Sequence, residues 1–188
     1  MSQPSPPSQA PPAPPSDPAS APASPAAGSP APACSAALRV DAQTAGGVRV
    51  VASLRNDSPA PVYLLQSERM PYAAVEGADQ IVLAWSIQPV PAGVNPGGIQ
   101  PLATVEIAAG AELHREALLR FPLQVSTHLR GPDPYPGALP DTVKLVAEFG
   151  LVAQPLDPAQ RHRQSYRALV ADQRTCRTAP VTVTVRKP

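Results

Sequence analysis

Apolar residues occur at every second position in several segments beyond residue 35, and this alternation constrains the fold more than any other feature of the chain. It is clearest in residues 38–42, 48–54, 81–87, 143–151 and 181–185. Successive side chains of a β-strand point to opposite faces, so a period of two places one face in a core and the other in water. Half-buried strands of this kind are typical of antiparallel sheets. The pattern therefore predicts an all-β protein.

Turn-forming residues separate the alternating segments. Ala45-Gly46-Gly47 joins the first two, and Asn56-Asp57-Ser58-Pro59 ends the second. Shorter runs bring the total to about eight or nine predicted strands, and these runs are residues 62–66, 102–108 and 166–171. Three segments rich in polar residues, proline or glycine are predicted to be loops, namely residues 67–80, 89–101 and 131–140.

Residues 111–121 fit two periods. A helical stripe would contain Leu113, Ala117, Leu118 and Phe121, whereas alternation would contain Leu113, Ala117, Leu119 and Phe121. The surrounding strand patterns and Pro122 favour a strand, and a short helix is the alternative.

The first 33 residues differ in composition from the rest of the 188-residue chain. They hold 12 of its 28 prolines and a single charged residue, Asp17. Such a segment has too little apolar surface to offset the entropy of ordering, so residues 1–33 are predicted to be a disordered Pro/Ala/Ser tether. Residues 34–188 are long enough for one β-sandwich domain. No apolar run reaches the roughly 18 residues of a membrane-spanning helix, and a net charge of +1 argues against a nucleic-acid partner.

The short alternating strands and proline-rich turns resemble the broad class of bacterial immunoglobulin-like sandwiches. This resemblance implies two antiparallel sheets packed face to face. Trp85 lies in an inward-facing row, but the Cys–Trp–Cys spacing of antibody domains is absent, because Cys34 and Cys176 lie outside the predicted inner strands. The resemblance names no specific family.

The polar, proline-rich N-terminus also resembles the tether of a mature bacterial lipoprotein. That family carries an acylated Cys at its first mature position, where this chain has Met1. The resemblance implies a lipid anchor that this sequence lacks and a periplasmic or outer-membrane-associated location. The segment itself has no basic region followed by an apolar stretch, so it is not a signal peptide, and a cytosolic protein is the alternative.

The two cysteines are predicted to form a disulfide bond. Cys34 lies where the tail meets the first strand, and Cys176 lies in the turn between the last two predicted strands. The immunoglobulin-like resemblance implies that these positions share one end of the fold. A disulfide between them would favour an oxidising compartment, and two unrelated thiols are the alternative. Two cysteines without a nearby histidine cluster do not form a structural metal site, so no metal is expected.

The chain contains none of the common catalytic or nucleotide-binding motifs, which predicts a protein that is not an enzyme and needs no cofactor. His114, His128 and His162 are scattered, and His114 with its neighbours Glu112 and Glu116 fits an outward strand face. Asn95 lies in an Asn-Pro-Gly-Gly segment that we interpret as a plain turn.

Basic residues are concentrated near the C-terminus. The last 28 residues contain seven of the 15 cationic residues and one acidic residue, Asp172. A predicted basic patch consists of Arg161, Arg163, Arg167, Arg174 and Arg177, with Arg186 and Lys187 beyond it. It would suit an anionic partner, and a solvated strand face is the favoured alternative.

The loops 89–101 and 131–140 are the predicted contact regions, because loops at the ends of a sandwich commonly carry recognition. Tyr135 between Pro134 and Pro136 would be an aromatic anchor, and Asn95 lies in the other loop. A Tyr135 that packs back on its own loop is the equal alternative.

The predicted function is a non-enzymatic cell-envelope module that binds another envelope protein through these loops. The alternative is a protease inhibitor of immunoglobulin-like type whose two loops block a cleft. Inhibition assays on a panel of proteases would separate the two functions, and the sequence gives no indication of the oligomeric state.

Overall fold

Twelve β-strands and one short α-helix make up the computed structural model, which describes residues 33–44, 46–89, 93, 102–157 and 165–185. The strands are β1 (Cys34–Thr44), β2 (Gly47–Asn56), β3 (Val62–Gln66), β4 (Tyr72–Glu76), β5 (Gln80–Trp85), β6 (Ala103–Ile107), β7 (Glu112–Arg120), β8 (Gln124–Thr127), β9 (Arg130–Pro134), β10 (Thr142–Val152), β11 (Arg174–Arg177) and β12 (Val181–Thr184). The helix α1 (Tyr166–Asp172) lies between β10 and β11. The predicted all-β class is confirmed, but the described residues form twelve strands and not the predicted eight or nine, because several of the strands are only four or five residues long.

The strands form two larger sheets and one separate hairpin. Sheet A has the order β1-β2-β7, and sheet B has the order β4-β5-β10-β3-β6 with β11 and β12 also paired to β10. Among the described residues, strands β8 and β9 pair only with each other. The antiparallel prediction is wrong at one pair, since β5 and β10 run parallel with Ile81 opposite Leu145. Parallel strands require a long connection, and the chain between β5 and β10 is long enough to provide one.

Side chains from both larger sheets share one hydrophobic core. In β2 the alternation predicted the buried row correctly, because Val48, Val50, Ala52 and Leu54 are all buried in this core. Sheet B contributes Trp85 of β5, whose ring stacks on Phe149 of β10 with centroids 5.3 Å apart.

Strands β5 and β10 are buried on both faces. Val82 and Ala84, which alternation placed on the outer face of β5, lie in a second cluster with Tyr72 and Val146. Helix α1 belongs to a third cluster, which contains Leu65, Ile87, Leu102, Val152, Leu156, Tyr166 and Leu169. The predicted strand over residues 166–171 is therefore wrong. Tyr166 and Leu169 are three residues apart and bury one side of a helix instead.

Two predicted loops contain short strands. Residues 67–80 contain β4, which pairs with β5. The register runs from Tyr72 opposite Ala84 to Glu76 opposite Gln80. Residues 131–140 begin with β9, which tolerates its prolines because it lies in a two-stranded hairpin with an unpaired outer side. The ambiguous segment 111–121 forms the strand β7, paired to β2 over its whole length.

The predicted tether lies outside the described residues except for Ala33. Within the described ranges, no helix is long and apolar enough to cross a membrane.

Candidate functional site

An apolar pocket of about 270 Å³ lies where β7 leads into the β8–β9 hairpin. One wall is the connection between β7 and β8, where the Phe121–Pro122 peptide bond is cis. The other wall is the segment that follows β9, and the residue after β12 closes one side. The lining residues are Phe121, Pro122, Leu123, Pro134, Tyr135, Gly137, Ala138, Leu139 and Val185. We refer to it as the Tyr135 pocket.

Tyr135 combines the two alternatives that its sequence left open. Its backbone N–H donates to the carbonyl of Leu123 at 2.9 Å, which joins the two walls of the pocket. Its ring is half-buried and lies over Gly137, so that a methyl group at Gly137 would be 2.7 Å from the ring. The ring therefore packs on its own loop and also lines the pocket. Pro134 and Pro136 are exposed beside it.

The lining of the Tyr135 pocket is almost entirely apolar. Apart from the phenol of Tyr135, every lining side chain is apolar, and none is a carboxylate, amine, imidazole or thiol. The Tyr135 phenol is therefore the one side chain of the lining that can donate or accept a hydrogen bond. It suits an apolar side chain or a proline-containing segment, because aromatic and proline-lined grooves dock such segments.

The predicted disulfide is present. Cys34 and Cys176 are bonded, with their Cα atoms 6.3 Å apart. Cys34 begins β1 of sheet A and Cys176 lies in β11 of sheet B, so the bond joins the two sheets. Cys176 is in a strand opposite Phe149 and not in a turn as predicted. The bond is compatible with an oxidising, extracytoplasmic compartment.

The predicted basic patch is only partly described. Arg161 and Arg163 lie outside the described residues, as does Asn95 of the predicted loop site. Arg167 and Arg174 are exposed, on α1 and β11 respectively.

Arg177 lies between two carboxylates. Its Nε donates to Glu148 at 2.5 Å, and its terminal nitrogens donate to both oxygens of Glu76 at 2.6 and 3.1 Å. These bonds raise the pKa of Arg177 and lower the pKa of Glu76. Ser86 donates to the other oxygen of Glu148, which is buried on β10. Arg177 thus neutralises a buried acid, and its guanidinium is already engaged by protein carboxylates.

A buried polar cluster lies where α1 meets the turn between β8 and β9. The ring of His128 in this turn stacks on Tyr166 with centroids 4.3 Å apart. Tyr166 Oη donates to the carbonyl of Gln88 at 2.5 Å, so it accepts from His128 Nδ1 at 3.1 Å. His128 Nε2 is then an acceptor with no protein partner among the described residues. Burial lowers the pKa of His128 to about 4 and raises the pKa of Tyr166.

Sequence reasoning missed this cluster because its members are far apart in the chain. A single histidine in a Thr-His-Leu-Arg segment carries no signal of burial, and Tyr166 belonged to a predicted strand. A helical interpretation of residues 166–172 would have been the one available indication.

No group of three or more His, Cys, Asp or Glu side chains that could hold a metal ion occurs in the described ranges. No family model, curated protein or solved structure matches this chain.

Proposed function

We propose that the chain is a non-enzymatic binding module of the cell envelope, an immunoglobulin-like β-sandwich that holds a segment of another envelope protein in the Tyr135 pocket. The observation that carries this proposal is the pocket itself. It is apolar, and it contains no titratable side chain except a phenol. Binding pockets are mostly apolar and carry few polar groups, which fix orientation.

The lining indicates the chemistry of the bound segment. Two aromatic rings, Phe121 and Tyr135, and two prolines, Pro122 and Pro134, form much of the surface. Extended segments that contain proline or leucine bury well against such surfaces and lose little entropy when they bind. We therefore expect an extended apolar segment of a partner protein as the ligand.

The disulfide supports a location outside the cytoplasm. The Cys34–Cys176 bond joins the two sheets, and such bonds persist in oxidising compartments.

The test blocks the pocket and leaves the fold intact. Ala138 is an exposed lining residue, and Ala138→Trp would fill the pocket. Ala179→Trp is the matched control, since Ala179 is an exposed residue between β11 and β12. Chemical shifts of the ¹⁵N-labelled full chain are followed while short peptides with proline–leucine, acidic or basic centres are added.

Proline–leucine peptides should shift the amides of Leu123, Tyr135 and Leu139 in the wild type and in Ala179→Trp, and leave Ala138→Trp unchanged. Binding that is equal in Ala138→Trp, or shifts confined to another surface, would contradict the proposal.

A further inference from the structure

Strand β7 is an edge of sheet A that carries no paired strand on its outer side among the described residues. It is nine residues long, from Glu112 to Arg120. The opposite edge of sheet A is β1, which is held close to sheet B by the Cys34–Cys176 bond and by a hydrogen bond from Gln43 to the carbonyl of Thr184. Long open edges are ready templates for another strand.

The hydrogen bonds at the two ends of β7 show which backbone groups face outward. Asn56 N–H donates to the carbonyl of Ala111 at 3.0 Å, and Phe121 N–H donates to the carbonyl of Gly46 at 3.0 Å. The β2–β7 register is continuous between these ends, so every odd-numbered residue of β7 faces β2. The N–H and C=O groups of the even-numbered residues therefore point to the open edge.

The even-numbered residues are Glu112, His114, Glu116, Leu118 and Arg120, and all are exposed. Leu118 is 53% exposed, and among the described residues it is the one large hydrophobic residue on the surface that is exposed to this degree. The edge thus has an acidic start, an apolar position near its end and a basic terminus.

We propose that β7 pairs antiparallel with β7 of a second copy of the chain, around a two-fold axis at Glu116. Glu112 then lies opposite Arg120 of the other copy, and His114 lies opposite Leu118. Each pair exchanges two backbone hydrogen bonds, because all five residues face the open edge. The two sheets A become one continuous sheet.

Charge complementarity selects both this occupant and this register. Side chains of directly opposed residues lie about 5 Å apart, where opposite charges stabilise the pair. The two-fold register at Glu116 forms two Glu112–Arg120 pairs and uses the full length of β7. A shift by two residues toward the C-terminus places His114 opposite Arg120 and leaves Glu112 without a charged partner on the other strand.

Glu116 is the exception and gives the proposal a distinctive consequence. The two Glu116 carboxylates face each other across the axis, so they oppose association. Glu116→Gln should therefore strengthen the dimer, although it removes a charged surface residue that would otherwise add solubility.

The experiment measures self-association of the full chain by sedimentation equilibrium, up to about 1 mM protein. Glu112→Arg and Arg120→Glu should each weaken association about tenfold or more, because each turns two attractive pairs into repulsive ones. The double variant with both changes should restore it. Arg39→Glu is the matched control, since Arg39 is an exposed cation on β1 of the same sheet.

A wild-type chain that stays monomeric at about 1 mM would overturn the proposal. A dimer that the double variant fails to restore, or that Glu116→Gln weakens, would also overturn it. Because the Tyr135 pocket plays no part in this interface, Ala138→Trp should leave the dimer unchanged, so the two proposals fail independently.

Discussion

His128 should make the fold sensitive to acid. Its imidazole is 3% exposed, and burial lowers its pKa from an ordinary 6.5 to about 4. The unfolded chain takes up a proton near pH 6.5 and the folded chain only near pH 4, so the unfolded state binds more protons between these values. The stabilising contribution is complete above pH 6.5 and is lost as the pH falls. A difference of this size corresponds to about 3 kcal/mol at pH 4.

Carboxylates also titrate in this range, so the measurement compares variants. His128→Phe keeps a ring that can stack on Tyr166 and removes the titration. The free energy of unfolding is measured by urea denaturation between pH 7 and pH 4, with the fluorescence of Trp85, the single tryptophan. Relative to this variant, the wild type should lose about 3 kcal/mol across the range.

The control is Ala179→Ser, because Ala179 is exposed between β11 and β12 and this change removes no titratable group. This variant should show the same pH dependence as the wild type. If the wild type and His128→Phe lose stability in parallel, or if the His128 imidazole titrates near pH 6.5 by NMR, the burial argument is refuted.

Two further predictions concern the contacts between strands. Replacing Cys34 and Cys176 together by Ala should lower the free energy of unfolding by about 5 kcal/mol, because the bond closes a loop with a sequence separation of 142. Chemical denaturation of the wild type with and without reductant measures the same loss. Equal denaturation midpoints in the two conditions would refute this prediction. Arg177→Met should destabilise the fold by about 2 kcal/mol, because it leaves the buried Glu148 carboxylate without its cation, and Arg177→Lys should recover part of the loss in the same assay.

The alternation of apolar residues predicted most of the strands, because alternate side chains of a half-buried strand face the core and are apolar. In β2 each second residue faces the core, and the sequence shows this directly. Strand β5 shows the limit of the argument. Val82 and Ala84 alternate with the core-facing row that contains Trp85, and both are buried in a second cluster that the local sequence pattern does not predict.

The helix α1 was missed for a similar reason. The apolar residues of this seven-residue segment fit both a strand period and a helix period. The helix forms because Tyr166, Leu169 and Val170 pack against one apolar cluster on sheet B. In the candidate site, Tyr135 was identified from its proline neighbours. The pocket beside it was not, since its other wall comes from the distant segment 121–123.

The all-β class and the core-facing rows of the long strands thus follow from the sequence, because they depend on period and composition alone. The pairing of Cys34 with Cys176 was predicted only through the immunoglobulin-like resemblance, and the tertiary structure confirms it. The structure alone decided the parallel pairing of β5 and β10, the second buried face of sheet B and the burial of His128. Each of these depends on contacts between residues far apart in the chain, and such contacts produce no periodic pattern in the local sequence.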